Sequence, residues 1–147
     1  MQAKLVIKSV FEHGQQIPKE YTCEGRNISP KLIIQGLDEK VKSIAIIMDD
    51  PDAPMGTFVH WVVWDLPPGN VEEGTKKGVN GITSFNRLGY GGPCPPKGHG
   101  KHRYYFKVYG LDKKLGLKEG LRKEELLKAM EGHVIAYGEL MGTYERK

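Results

Sequence analysis

This sequence predicts a mainly β domain with one late helix, on three observations. Nineteen glycines and nine prolines fall, without a period, between short apolar runs, the pattern of many turns joining short strands. HRYYFKVYG, residues 102–110, alternates: His102, Tyr104, Phe106 and Val108 share one face, and Arg103, Tyr105, Lys107 and Tyr109 the other. RKEELLKAMEG, residues 122–132, carries the one convincing helical stripe. At 147 residues the chain is read as a single domain, 1–147, large enough to bury a core.

Taken in order, KLVIKSVF (4–11) is expected to form a first strand, followed by a loop with Gly14 and Pro18. KLIIQG (31–36) and KSIAIIMDD (42–50) are apolar runs bounded by turn residues, and the second ends in acids. FVHWVVWDL (58–66) is apolar on both faces, as a central strand is. By parity His60 shares its face with Phe58, Val62, Trp64 and Leu66. Pro67, Pro68 and Gly69 stop the strand. Residues 70–101 read as loop, with Asn80-Gly81 as a tight turn. In the helix, Leu126, Leu127 and Met130 form the stripe, Glu124 precedes Lys128 by one turn, and Gly132 supplies a stop. HVIAYGELMGTY (133–144) reads as the last strand.

Composition narrows the function. Apolar content of 39% and charged content of 27% suit a globular chain. The net charge of +4 comes without a basic block interleaved with aromatics, so nucleic acid is not the expected partner. MQAKLVIKSVF has no apolar leader core, and no window reaches the ~18 apolar residues of a span. A cytoplasmic protein with no stable membrane insertion is expected. Cys23 and Cys94 lie far apart, outside C-x-x-C spacing; two reduced thiols are the plain reading and a disulfide the alternative.

The chemistry gathers in MDDPDAPMGTFVHWVVWDLPPG, residues 48–69. Pro51 and Pro54 fix φ and remove donors, so Asp50 and Asp52 sit on a rigid loop at the end of a buried strand. Taken alone, those aspartates are turn formers. His60 and His102, each on an apolar face with Tyr104 beside the second, change the balance, because buried polar groups need partners and a shared pocket supplies them. GYGGPCPPKGHGKHRY (89–104) adds glycines for close backbone approach and prolines for a stiff rim, but lacks the spacing of a nucleotide P-loop.

DPDAP, a histidine inside the next apolar strand, GPCPPKGHGKHRYYF and GHVIAYGELMGTYER together resemble the phosphatidylethanolamine-binding protein family. YTCEGRNISPKLIIQG and HWVVWDLPPG narrow the resemblance to its compact bacterial and archaeal branch, related to Raf kinase inhibitor protein. It covers essentially the whole chain and implies a β-sandwich with a large antiparallel sheet, a smaller sheet and one or two short peripheral helices. It also implies a small anion pocket accepting phosphate-like groups. By motif, that pocket takes Asp50, Asp52, Ala53, Pro54, His60, Cys94, Pro96, His102 and Tyr104, with Ala53-Pro54 a candidate cis peptide. The sequence shows no counterpart of the longer C-terminal helix of the animal relatives, a departure that puts their lipid and kinase regulation in doubt.

An anion beside Asp50 meets a like charge, so a bound phosphate is expected to keep a proton and donate it to that carboxylate. A phosphate or phosphoryl-group binding protein with a regulatory or inhibitory role towards a protein partner is the leading reading, and no cofactor is called for. One alternative is a hydrolase using the Asp/His/Tyr pocket or the Cys94 thiol; no nucleophile-elbow motif supports it. Another is protease or kinase inhibition through surface loops. Zinc at His99, His102, His60 and Asp50 is a weaker reading and no metal is expected, because glycines surround His99 and nothing in the sequence orients its ring. The aromatic face of HRYYFKVYG permits a homodimer.

Overall fold

A computed structural model describes residues 2–147. The long strands are β4 (Ser43–Asp50), β5 (Phe58–Leu66), β7 (His102–Leu111) and β8 (Val134–Tyr144). Short ones are β1 (Ala3–Lys4), β2 (Val6–Lys8), β3 (Ile33–Gln35) and β6 (Val79–Asn80). A six-stranded sheet runs β1-β8-β7-β4-β5-β6, and β2 pairs with β3 in a second small sheet. The large sheet is antiparallel except at its edge, where β1 runs parallel to β8. One α-helix, α1 (Lys123–Met130), and a single 3-10 turn at Lys19–Tyr21 complete the described elements.

β4 is central because it can be: all of its residues are buried, between β5 and β7. Period-2 alternation sends Ile44, Ile46 and Met48 to one side and Ala45 and Ile47 to the other. The first side packs under the small sheet and the N-terminal loops, through Ile7, Phe11, Ile17, Leu32 and Ile34. The second packs under α1, through Leu126 and Met130. Each fully buried Ile, Leu or Met side chain among them stabilises the fold by about 1.5–3 kcal/mol. The helix starts where Arg122 N donates to Glu125 Oε1 at 2.9 Å, and the chain leaves it through Gly132 at φ 79°.

Several expectations are corrected. The first strand divides at Leu5, whose N–H still reaches Tyr137 O at 2.8 Å, so Ala3–Lys4 joins the large sheet and Val6–Lys8 the small one. That approach needs Gly138, where a Cβ would run into the Leu5 carbonyl. Asn80-Gly81 is not a tight turn; Asn80 ends β6, and Gly81 N donates to Val62 O at 2.7 Å. The parity reading of β5 holds for Phe58 and Leu66 but fails for Val62 and Trp64. Met48 pairs with Trp61 but Asp49 with Val59, so His60 is an extra residue in a β-bulge. Beyond it, Trp61 and Val63 take the His60 side, while Val62 and Trp64 face α1. A second irregularity, with Asp65 at φ 56°, returns Leu66 to the first side.

The cysteines are not free: Cys23 and Cys94 form a disulfide. No cis peptide occurs among the described residues, so Ala53-Pro54 is trans.

Candidate functional site

At the ends of β4, β5 and β7 the sheet opens into a cleft of about 440 Å³. Its floor is Asp50, His60, His102 and Tyr104, and its walls include Phe58, Phe85 and Pro54. Three strands place the floor by register. Asp50 follows Met48 and Ile46 by period 2, His102 and Tyr104 precede Phe106, and the bulge turns His60 to the same side. Adjacent Asp49 points the opposite way, where Lys123 Nζ and Lys107 Nζ reach its Oδ2 at 2.7 and 3.2 Å. One acid dipeptide thus serves both faces of the sheet.

Each polar group on the floor has a defined state. Asp50 Oδ1 accepts Asp52 N–H at 2.7 Å, and Asp50 Oδ2 accepts His102 Nδ1–H at 2.7 Å. His102 Nε2 then faces His99 Nδ1, also at 2.7 Å. His60 Nδ1 lies 2.7 Å from Gly91 O; a carbonyl only accepts, so Nδ1 carries the hydrogen and Nε2 is the lone-pair nitrogen of the neutral ring. Burial keeps the ring neutral by holding its pKa below the ordinary value, against the raising effect of the Gly91 bond and of Asp50.

Tyr104 is fully buried, and its hydroxyl is the single buried side-chain polar atom among the described residues without a protein partner. Burial first, then the charges of Asp50 and Asp52 and a contact with the Asp50 carboxylate that falls outside hydrogen-bond geometry, raise its pKa far above the usual phenol range, so it remains a donor. Its ring lies edge-on to His60 and stacks near His102, with centroids 5.2 and 6.4 Å away. Phe58 and Phe85 meet edge to face at 4.7 Å on the apolar wall.

Residues 7–145 match the model of the family described as phosphatidylethanolamine-binding protein. The chain belongs to the phosphatidylethanolamine-binding protein family. A UPF0098 protein of Pyrococcus horikoshii is 55% identical over 153 residues, covering 97% of this chain and 77% of its own. Another, of Aquifex aeolicus, is 44% identical and covers 96% of this chain and 88% of its own. Among solved structures, a phosphatidylethanolamine-binding protein homologue of Chlamydia trachomatis superposes with a TM-score of 0.92 at 42% identity, covering 99% of this chain and 100% of its own. Escherichia coli YbcL, described as a new member of the mammalian family, gives 0.88 at 30% identity with the same coverage.

In this member of the family, Asp50, Ala53, Pro54, His60, Cys94, Pro96, His102 and Tyr104 line one cleft. Asp52 does not. Its carboxylate turns outward and grips Arg103, with Oδ1 to Nη2 at 2.8 Å and Oδ2 to Nε at 2.9 Å. Those bonds hold its pKa below the ordinary carboxylate range, against a smaller raising effect of burial. Asp52 therefore fastens the loop to β7. Cys94, bonded to Cys23, offers no thiol nucleophile. Ser84 and Phe85, absent from the expected pocket, join the wall from 24 and 25 residues beyond His60; no spacing rule links them to DPDAP. Ser84 Oγ accepts Val59 N–H at 2.8 Å.

Acid is expected to weaken the fold in two windows. His60 has an ordinary pKa of 6.5 and a lowered native one. Its contribution is complete above about pH 6.5 and is lost as pH falls towards the native value, because the unfolded chain takes the proton first. Asp52, also lowered, contributes above the ordinary carboxylate range, and that contribution is lost as pH falls through its native value. Thermal melts from pH 7.5 to 3 should show both declines, and His60→Asn should flatten the upper one. An unchanged upper slope in that variant would rule out a buried neutral His60 as its cause.

Proposed function

We propose that this protein binds a small phosphate-type monoanion carrying an apolar group. One observation supports it above the others: Tyr104 O–H, a buried donor without a protein partner, and the free acceptor His60 Nε2 flank the same cleft against a phenylalanine wall. A phosphoryl group that keeps one proton matches both, since its P–OH donates to His60 and its P–O⁻ accepts from Tyr104. Both Asp50 oxygens already accept a donor, so His60 is the better home for the ligand's proton than Asp50.

The cleft of about 440 Å³ is in the range of small-molecule sites and far exceeds a bare phosphate. Phe58, Phe85, Met55 and Pro54 would cover the ligand's apolar part. Binding without turnover is favoured because Ser84 Oγ, a hydroxyl on the wall, is engaged by Val59 N–H rather than hydrogen-bonded to a base, and Cys94 is oxidised. A regulatory role towards a protein partner would follow if the occupied cleft presents a different rim from the empty one.

Thermal shifts test this with inorganic phosphate, phenyl phosphate and sulfate. Phenyl phosphate at a hundred times its Kd should stabilise by ~2.7 kcal/mol, a rise of roughly 5–10 °C in Tm. Phosphate should need higher concentration, and sulfate, which carries no proton near neutral pH, should bind more weakly still. Affinity should fall about tenfold per pH unit above the phosphomonoester's second pKa of about 6, as the ligand loses the proton that His60 accepts. Equal shifts for sulfate and phosphate would sink the arrangement.

A further inference from the structure

We propose that His99 and His102 form a two-imidazole site at the rim of the cleft for a borderline divalent transition-metal ion, copper(II) bound more tightly than zinc(II). The sequence offered no reason for His99 to be oriented; the structure supplies one. His102 is buried, and Asp50 Oδ2 fixes its Nδ1–H at 2.7 Å, leaving Nε2 directed at His99 Nδ1. A carboxylate on the far nitrogen is the support that metal-binding imidazoles ordinarily have, setting tautomer and ring direction and raising basicity.

The spacing suits an ion. Two nitrogens about 2.0–2.1 Å from one metal stand about 2.9–3.4 Å apart, depending on geometry, against the 2.7 Å of the hydrogen bond. An ion on the His102 Nε2 lone-pair axis takes the place where His99 Nδ1 now lies, so the His99 ring swings off that axis by about 2 Å to reach a coordination angle of roughly 90–109°; it is exposed and flanked by Gly98 and Gly100, both at positive φ and with open space at the Cβ position. The loop keeps its path through His99 N–H to Pro96 O at 3.1 Å and Gly98 N–H to Arg146 O at 3.0 Å. When the ion binds, the His99 proton moves from Nδ1 to Nε2, and both facing lone pairs are free to coordinate.

Among the described residues no group of three or more His, Cys, Asp or Glu side chains converges, so solvent completes the shell. Imidazole donors with both cysteines oxidised select copper, nickel and zinc over hard cations, with copper first.

Calorimetric titration of the disulfide-intact protein with copper(II) and zinc(II) chloride, in phosphate-free buffer, tests the site. One ion per chain is expected, with affinity at least tenfold lower in His99→Ala and unchanged in His13→Ala. The copper(II) electron paramagnetic resonance spectrum should show two imidazole nitrogens in the wild type and fewer in His99→Ala. An affinity indifferent to His99→Ala, or a spectrum without imidazole nitrogen, overturns the proposal. Phenyl phosphate shifts measured in EDTA should survive His99→Ala, so this site and the anion reading fail separately.

Discussion

Replacing Cys23 and Cys94 by serine, or reducing their bond, is expected to lower stability by about 4 kcal/mol. The bridge joins positions 71 residues apart, and closing a loop of that length removes roughly this much chain entropy from the unfolded state. At this size that corresponds to a fall of about 8–16 °C in Tm. The native wall should persist, because it is pinned independently. Gly92 N–H donates to Asn27 Oδ1 at 2.7 Å, Cys23 N–H to Pro93 O at 3.1 Å, and Arg146 Nε to Pro95 O at 2.7 Å. Anion-induced shifts should therefore survive in the double serine variant although the whole melting curve moves down. A fall of only a degree or two would mean that the unfolded chain gains little freedom from losing the bridge.

Tyr104→Phe should move stability and binding in opposite directions. The hydroxyl lies buried without a protein partner, which costs about 1–3 kcal/mol relative to an apolar group of the same shape. The unliganded variant should melt at the wild-type temperature or a few degrees above it. A hydrogen bond from that hydroxyl to an anion is worth about 1.5–3 kcal/mol, so phenyl phosphate affinity should fall by roughly ten- to a hundredfold. A purely structural tyrosine would show the reverse, a lower Tm with unchanged binding. Measuring both quantities on one sample separates the two roles.

Much of this site was legible in sequence because its parts follow local rules. The alternation of HRYYFKVYG put His102 and Tyr104 on the buried face, where they lie. DPDAP promised a rigid acidic loop at a strand end, and Asp50 ends β4. Parity failed at His60 because a bulge is a property of the pair: β5 carries an extra residue only relative to β4. Asp52 was misplaced because its direction depends on Arg103, 51 positions along the chain. The Ala53-Pro54 expectation came from resemblance, not from a local rule, and the bond is trans.

The mainly β class, the long strands, the late helix and the residue types available to the cleft are written in the local pattern of the chain. These depend on period, propensity and turn chemistry, which act within a few residues. Long-range folding is what brings Cys23 to Cys94, sets Phe85 in the cleft wall, leaves His60 a free Nε2 and turns His99 to His102. The Cys23–Cys94 and Phe85 placements join atoms distant along the chain. The His60 and His99 states turn on which hydrogen-bond partner the fold brings within about 3 Å, a distance that no spacing in one dimension encodes.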